Sequence, residues 1–259
     1  MKKLLLTSGC LLGLVVSQVA NAISVDLTTA GATGYANGGY FQQISPQSTG
    51  TGVIDPFLRI QANGTEQGFN NSVDKFTLDN VAKGGQNYNH DILLSEVPIV
   101  TIGSVNYYQF LLDINESKGG DEELLSLHEL EIWLKSTAIT TLSNPKGTYS
   151  DLTGSGAVKA WDLDNGSDGD SVIELNFILN PGSGAGDMFA NIPVSALGTD
   201  GSKYVYLYSA FGNPKTSSDG FEEWALLKSK STPVPDSGMT AALLGLGMLG
   251  LGFLARRKA

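Results

Sequence analysis

Cysteine is almost absent from this chain: Cys10 is the only one in 259 residues, and it lies in an N-terminal apolar stretch. A single thiol closes no intrachain disulfide. Its position leaves the rest of the chain without a thiolate metal site or a cysteine nucleophile. Histidine is nearly as scarce, with only His90 and His128. The chain has no His-Glu-x-x-His run, no Gly-x-Ser-x-Gly elbow and no Gly-x-x-x-x-Gly-Lys loop. Zinc hydrolysis, a serine-hydrolase triad and phosphate cradling by a glycine loop therefore have no carrier. Five of the 16 basic residues (Lys2, Lys3, Arg256, Arg257 and Lys258) sit at the ends, and Arg59 is the only arginine between them. The chain as a whole carries a net charge of −10, with 26 acidic residues, so its middle is more acidic still. Such a surface repels phosphate backbones and anionic headgroups, which argues against nucleic acid as a partner, and it attracts divalent cations.

The two ends are address signals. Met1-Lys2-Lys3 leads into a mostly apolar segment, residues 4–16, and Ala20-Asn21-Ala22 forms a small-x-small site. This pattern predicts a secretory signal peptide over residues 1–22, cleaved before Ile23. At the other end, residues 231–238 form a short linker holding Pro233 and Pro235, and an almost wholly apolar run follows over residues 239–255. As a helix that run spans about 25 Å, enough for a thin bilayer. Arg256, Arg257 and Lys258 begin a basic tail, residues 256–259, that the positive-inside rule keeps cytoplasmic, with the middle of the chain outside.

Residues 23–230 read as β-structure. Short β-branched and aromatic runs alternate with glycine-rich turns. Strands are expected at 23–28, 40–44, 57–61, 105–114, 129–134, 157–163, 172–179, 188–194, 204–211 and 221–227, with a break at Pro98 and a polar loop over 62–72. Alternation over 57–61 places Phe57, Arg59 and Gln61 opposite Leu58 and Ile60. For 122–135 a short helix competes with the strand, because Leu124, Leu127, Leu130 and Leu134 also have helical spacing. The recurrence of strands without long helical patterns predicts an all-β fold, a single β-sandwich or jelly roll.

Two groups of oxygen-bearing side chains suit Ca²⁺, which takes six to eight oxygen ligands in flexible geometry. One is Asp162, Asp164, Asn165, Asp168, Asp170 and Glu174, whose spacing is not that of an EF-hand; a solvated turn is the competing reading. The other is Asp113 and Asn115 at a strand end, with Glu129 or Glu131 from the next strand closing an oxygen cage. An acidic strand end held apart by water competes with it. Paired carboxylates could instead hydrolyse glycosidic bonds, and Glu129/Glu131 and Glu222/Glu223 are the available pairs. Adjacent strand residues face opposite sides, so Glu222 and Glu223 cannot share one site. Tyr35, Tyr40, Tyr107, Tyr108, Tyr204, Tyr206, Tyr208 and Trp224 offer rings that either pack the sheets or stack on sugars.

The tail, with Val234, Pro235, Asp236, Ser237 and Gly238 ahead of the apolar run and the basic end, resembles the PEP-CTERM class of bacterial sorting signals, in its Val-Pro-Asp-Ser-Gly variant. The resemblance implies an exosortase as processing partner, an inner-membrane stage held by the 239–255 helix, and delivery to the cell surface or extracellular matrix among exopolysaccharide. Residues 57–70, 111–116 and 220–224 are similar to stretches of secreted proteins bearing such tails, and bring no activity with them. The resulting expectation is a non-enzymatic surface or matrix protein that binds glycan with Ca²⁺ support. The alternative is a secreted carbohydrate-active enzyme using two carboxylates.

Overall fold

The computed structural model describes residues 22–48, 53–73, 77–79, 88–143, 147–164, 169–182, 185–218 and 220–228, with only the backbone for 45–48. The sorting motif, the expected transmembrane helix and all but Ala22 of the expected signal peptide lie outside these residues. The chain divides into two units, residues 1–227 and 228–259, and the description below concerns the first.

Sixteen strands run through the described residues. The first eight are β1 (Ser24–Asp26), β2 (Thr33–Ala36), β3 (Gly39–Ser48), β4 (Ile54–Ile60), β5 (Asn63–Gly64), β6 (Glu66–Phe69), β7 (Ile92–Leu93) and β8 (Ile99–Ile102). The rest are β9 (Val105–Asp113), β10 (Leu124–Lys135), β11 (Val158–Asp162), β12 (Val172–Asn176), β13 (Ala185–Pro193), β14 (Tyr204–Phe211), β15 (Ser217–Ser218) and β16 (Glu222–Leu227). Two short helices, α1 (Tyr149–Gly154) and α2 (Val194–Leu197), complete the frame. The first sheet has the order β1-β12-β10-β14-β6, with β11 added beside β10 and β7 beside β14. The second has the order β2-β3-β13-β9-β16-β4, with β8 beside β9. All pairings are antiparallel except β1 with β12. The chain is all-β, as its turn-punctuated pattern predicts.

Both sheets contribute to one buried apolar cluster. Leu125, Leu130, Ile132, Ile173 and Leu207 come from the first sheet; Phe57, Phe110, Met188, Ile192 and Trp224 come from the second. The Trp224 indole N–H donates to Ser209 Oγ on β14, 3.0 Å away, linking the sheets through the core. The first sheet's other face carries Phe69, Trp133, Tyr206 and Tyr208, packed against Ile139 and Leu152 near α1. Tyr206 and Tyr208 thus serve sheet-face packing.

Three local expectations change. Residues 62–72 are not all loop, because β6 pairs with β14 (Phe69 with Tyr208, Glu66 with Phe211). That short polar segment takes its order from an established neighbouring strand rather than from its own propensity. Phe57 joins Leu58 and Ile60 in the shared core instead of facing away from them. The cause is a register shift, with Leu58 opposite Trp224 and Pro56 opposite Ala225, so Phe57 is the extra residue of a bulge. The strand expected over 172–179 ends at Asn176, whose side-chain oxygen accepts the Ile178 N–H at 3.0 Å and starts a 3₁₀ turn, Phe177–Leu179. The helix considered for 122–135 does not form; that stretch holds the long strand β10.

Asn70 completes the first sheet where β6 stops short of β7. Its side-chain oxygen accepts the Leu207 N–H at 2.7 Å, and its amide donates to Val205 O and His90 O, each at 3.0 Å. One fully buried side chain so satisfies three backbone groups that would otherwise be buried unpaired. Asn70→Leu is expected to lower the unfolding free energy by on the order of 3 kcal/mol, read as a lower urea midpoint at unchanged m-value.

Candidate functional site

The pairing of β10 with β11 builds an acidic cluster. Leu125 and Leu127 face the shared core, but a register shift between Leu127 and Glu129 resets the alternation. After it, Leu130, Ile132 and Leu134 face the core, while Glu129, Glu131 and Trp133 project from the other face. β11 lies antiparallel with Glu131 opposite Asp162. The chain then turns, and the Leu163 N–H bonds to Leu130 O at 2.9 Å, which sets Asp164 beside Glu129. Carboxylate oxygens of Glu129, Asp162 and Asp164 consequently lie within 4.8 Å of one another.

The members of this cluster are not equivalent. Glu131 is saturated: one oxygen accepts from Lys159 Nζ at 3.0 Å and the Tyr149 hydroxyl at 2.9 Å, and the other from Trp133 Nε1 at 2.6 Å. Lys159 also donates to Asp162 Oδ2 at 2.5 Å, and the other Asp162 oxygen accepts the Asp164 N–H at 2.9 Å. Asp164 Oδ1 accepts the Ser171 N–H at 2.6 Å. Glu129 lies closest to unneutralised charge. Burial, followed by repulsion from Asp164, Glu131, Asp162 and Asp170, pushes its carboxyl up to about 7. Burial and the charges of Asp162, Asp170 and Glu131 raise Asp164 to about 6 against the Ser171 hydrogen bond. Burial, with the Glu131 hydrogen bond and charge, pushes the Tyr149 hydroxyl up to about 12.

The structure joins parts of the two sequence-predicted groups and separates others. Glu129 from one and Asp162 and Asp164 from the other converge, with the exposed Asp170 close enough to act on both Glu129 and Asp164. Asp168 and Asn165 lie outside the described residues. Asp113 stands on β9 of the second sheet, opposite Glu223, and Asn115 follows it there. The cage drawn from Asp113 and Asn115 to Glu129 or Glu131 therefore does not form, because the two halves belong to different sheets and point away from the shared core. Glu174 lies apart too, accepting from Ser126 Oγ at 2.9 Å. Sequence reading passed over Lys159, Tyr149 and Trp133, since only the cross-strand register brings them to Glu131.

A second surface lies on the outer face of the second sheet. Tyr35 on β2 pairs with Tyr40 on β3, ring centroids 4.9 Å apart, and Tyr40 meets Tyr107 on β9 at 6.5 Å. Tyr35 is 58% exposed. Beside the row, Gln109 donates to Asn191 Oδ1 at 3.0 Å, and Asn191 donates to Tyr40 O at 2.9 Å. The amide pair fixes the strands beneath the row, and the exposed Tyr35 ring can stack on a sugar. The cleft near α2, lined among others by Leu134, Val158, Leu197, Lys135 and Lys203, has no carboxylate in its lining.

Among the described residues no helix is long and apolar enough to cross a membrane; residues 239–255 lie outside them. Residues 233–258 match the VPDSG-CTERM motif. The chain thus carries a sorting signal of the PEP-CTERM type, the tail of an exported protein that an exosortase processes for the surface or exterior. No curated protein and no solved structure matches the chain.

The raised carboxyls give this cluster a defined pH signature. In the unfolded chain Glu and Asp titrate near ~4.3 and ~3.9, below the folded values of Glu129 and Asp164. The folded state then holds their protons more tightly, so their contribution to stability declines as pH rises through that window. In chelator, E129Q/D164N is expected to exceed the wild type in stability at about pH 8 and to match it near pH 4, measured by denaturant midpoints across pH. Parallel pH profiles would refute the repulsion.

Proposed function

We propose that this is a non-enzymatic surface or matrix protein with a β-sandwich ectodomain, held by the 239–255 helix until an exosortase acts. Released from that tether, it binds exopolysaccharide through the Tyr35-Tyr40-Tyr107 row, and Ca²⁺ at Glu129, Asp162 and Asp164 supports the fold. The observation that carries the reading is the tail: the motif Val234 to Gly238, an apolar run and a basic end, in that order. Each part has a physical role. The prolines restrict the backbone of the recognition motif, the apolar run is suited to insert, and the basic end to fix orientation.

The ectodomain features agree with a binding role. The exposed Tyr35 and half-buried Tyr40, backed by the buried Tyr107, offer stacking on a sheet face without a deep cleft. Lys159 neutralises part of the acidic cluster and leaves Glu129 and Asp164 on its open side, an oxygen-only setting that suits a hard cation.

In the native host, the wild type is expected at the surface in a form shorter than the full chain. Replacing Pro235 and Asp236 together with alanine, or removing the exosortase, should hold the uncleaved chain in the membrane fraction. An unchanged size and location in both cases would overturn the sorting assignment. For the binding surface, Y35A is expected to weaken retention on the host's exopolysaccharide severalfold in affinity electrophoresis without changing Tm. Turnover of that polysaccharide, lost in E129Q with the fold intact, would instead favour the carbohydrate-active enzyme.

A further inference from the structure

A third group of carboxyls occupies one end of the shared core, and the sequence gives no hint of it. Glu66 reaches it from β6 of the first sheet and Glu222 from β16 of the second. Glu116 comes from the segment after β9. All three are buried, at 1%, 0% and 5% exposure. One Glu66 oxygen accepts the Ala62 N–H at 2.7 Å; one Glu116 oxygen accepts the Ser218 N–H at 2.7 Å and the Ser218 hydroxyl. The other Glu66 and Glu116 oxygens, and both oxygens of Glu222, receive no hydrogen bond from a donor group among the described residues. Glu222 is the middle member, within hydrogen-bonding reach of both other carboxyls. The buried Ser217 hydroxyl lies against Glu116 without a well-formed hydrogen bond.

Among the described residues, no cation is one of the charges that act most strongly on this group. The charges acting most strongly on Glu222 are Glu66 and Glu116, and those on Glu66 are Glu116 and Asp79. Arg59 serves Glu223, on the other face of β16, and stacks between Tyr88 and Phe221. Burial holds all three carboxyls above their ordinary range, with like charge adding to it for Glu222 and for Glu66, which is raised to about 7. An apolar trio would fill the same space without this penalty. The surrounding loops are closely fitted: a side chain on Gly220 would place its Cβ 1.3 Å from Asn115 O.

We propose that Glu66, Glu116 and Glu222 form a buried Ca²⁺ site that ties the two sheets together, with Glu222 giving both oxygens and its neighbours turning in to close on the ion. The oxygen-only set suits Ca²⁺ rather than zinc, which favours nitrogen and sulfur. Mg²⁺ keeps several waters, for which a sealed site has little room. The site is independent of Glu129, Asp162 and Asp164.

The test is a thermal titration of the purified full chain, stripped with chelator and returned to CaCl₂, with calcium content measured after dialysis. The wild type should retain Ca²⁺, and its Tm should rise by roughly 5–10 °C at a concentration about a hundredfold above Kd. E222Q should lose most of that rise while its chelator-state Tm stays at or above the wild-type value. E129Q/D164N, which gives up the surface cluster's share, should still retain Ca²⁺ and most of the rise, and adding E222Q to it should abolish what remains. Should E222Q fail to fold, E116Q carries the same comparison. A wild type that binds no Ca²⁺, its carboxyls sharing protons instead, overturns the proposal. So does a rise that E222Q leaves whole; if it is lost only in E129Q/D164N, the ion sits at the surface cluster and the earlier reading stands.

Discussion

Trp224 lies fully buried in the apolar cluster that both sheets share, and its indole N–H is held by Ser209 of the opposite sheet. An indole nitrogen in such a place must have a partner, so the rotation of β16 about its own axis is fixed. Side chains alternate along a strand, and that one choice decides its neighbours. Glu222, two residues back, turns inward to Glu66 and Glu116. Glu223 and Ala225 turn outward, Glu223 to Asp113 and Arg59, and Ala225 to the smaller cluster of Ile44, Ile54 and Leu111. A carboxyl is thus carried into the end of the core by the same geometry that seats the tryptophan.

Acidity in this chain is therefore a matter of placement rather than of surface charge alone. Two cations do most of the local balancing in the described residues. Lys159 bridges Glu131 and Asp162, and Arg59 acts on Glu223. Each is set among aromatic rings, Lys159 over Trp133 and Arg59 over Tyr88 and Phe221. Water is partly excluded there, so charge pairs are screened less than at an open surface. Among the other buried acids, Glu66, Glu116 and Asp187 each accept a backbone N–H. Asp187, for instance, accepts the Ile114 N–H at 2.8 Å, while burial and then the Asp113 charge push it up to about 9.

What could be read from the sequence follows the range of the interactions involved. The strands at 105–114 and 204–211 were legible because their β-branched and aromatic runs set their own conformation; β9 and β14 follow them to within one residue. The opposite facing of Glu222 and Glu223 was legible for the same local reason. The meeting of Glu129 with Asp162 and Asp164 depends on a bulge after Leu127 and on a register between strands more than twenty residues apart in sequence, so each half was visible and their union was not. β6 was missed because Glu66-Gln67-Gly68 has weak strand preference and is ordered by β14. Glu66, Glu116 and Glu222 carry no spacing signal at all; three chain segments converge only once both sheets have formed.

The sorting tail sharpens why the interior matters. A chain with one cysteine cannot staple itself for life outside the cell. On the proposed reading an exosortase frees the ectodomain from its tether, which leaves it dependent on its own core and on ions it can take from its surroundings. A ligand that binds only the folded state stabilises it by mass action, and a buried oxygen site contributed by both sheets couples that gain to the one arrangement in which they meet. The lack of a cation beside Glu66, Glu116 and Glu222 among the described residues, which looks like a defect when the chain is weighed alone, fits the proposal that positive charge is supplied there after export.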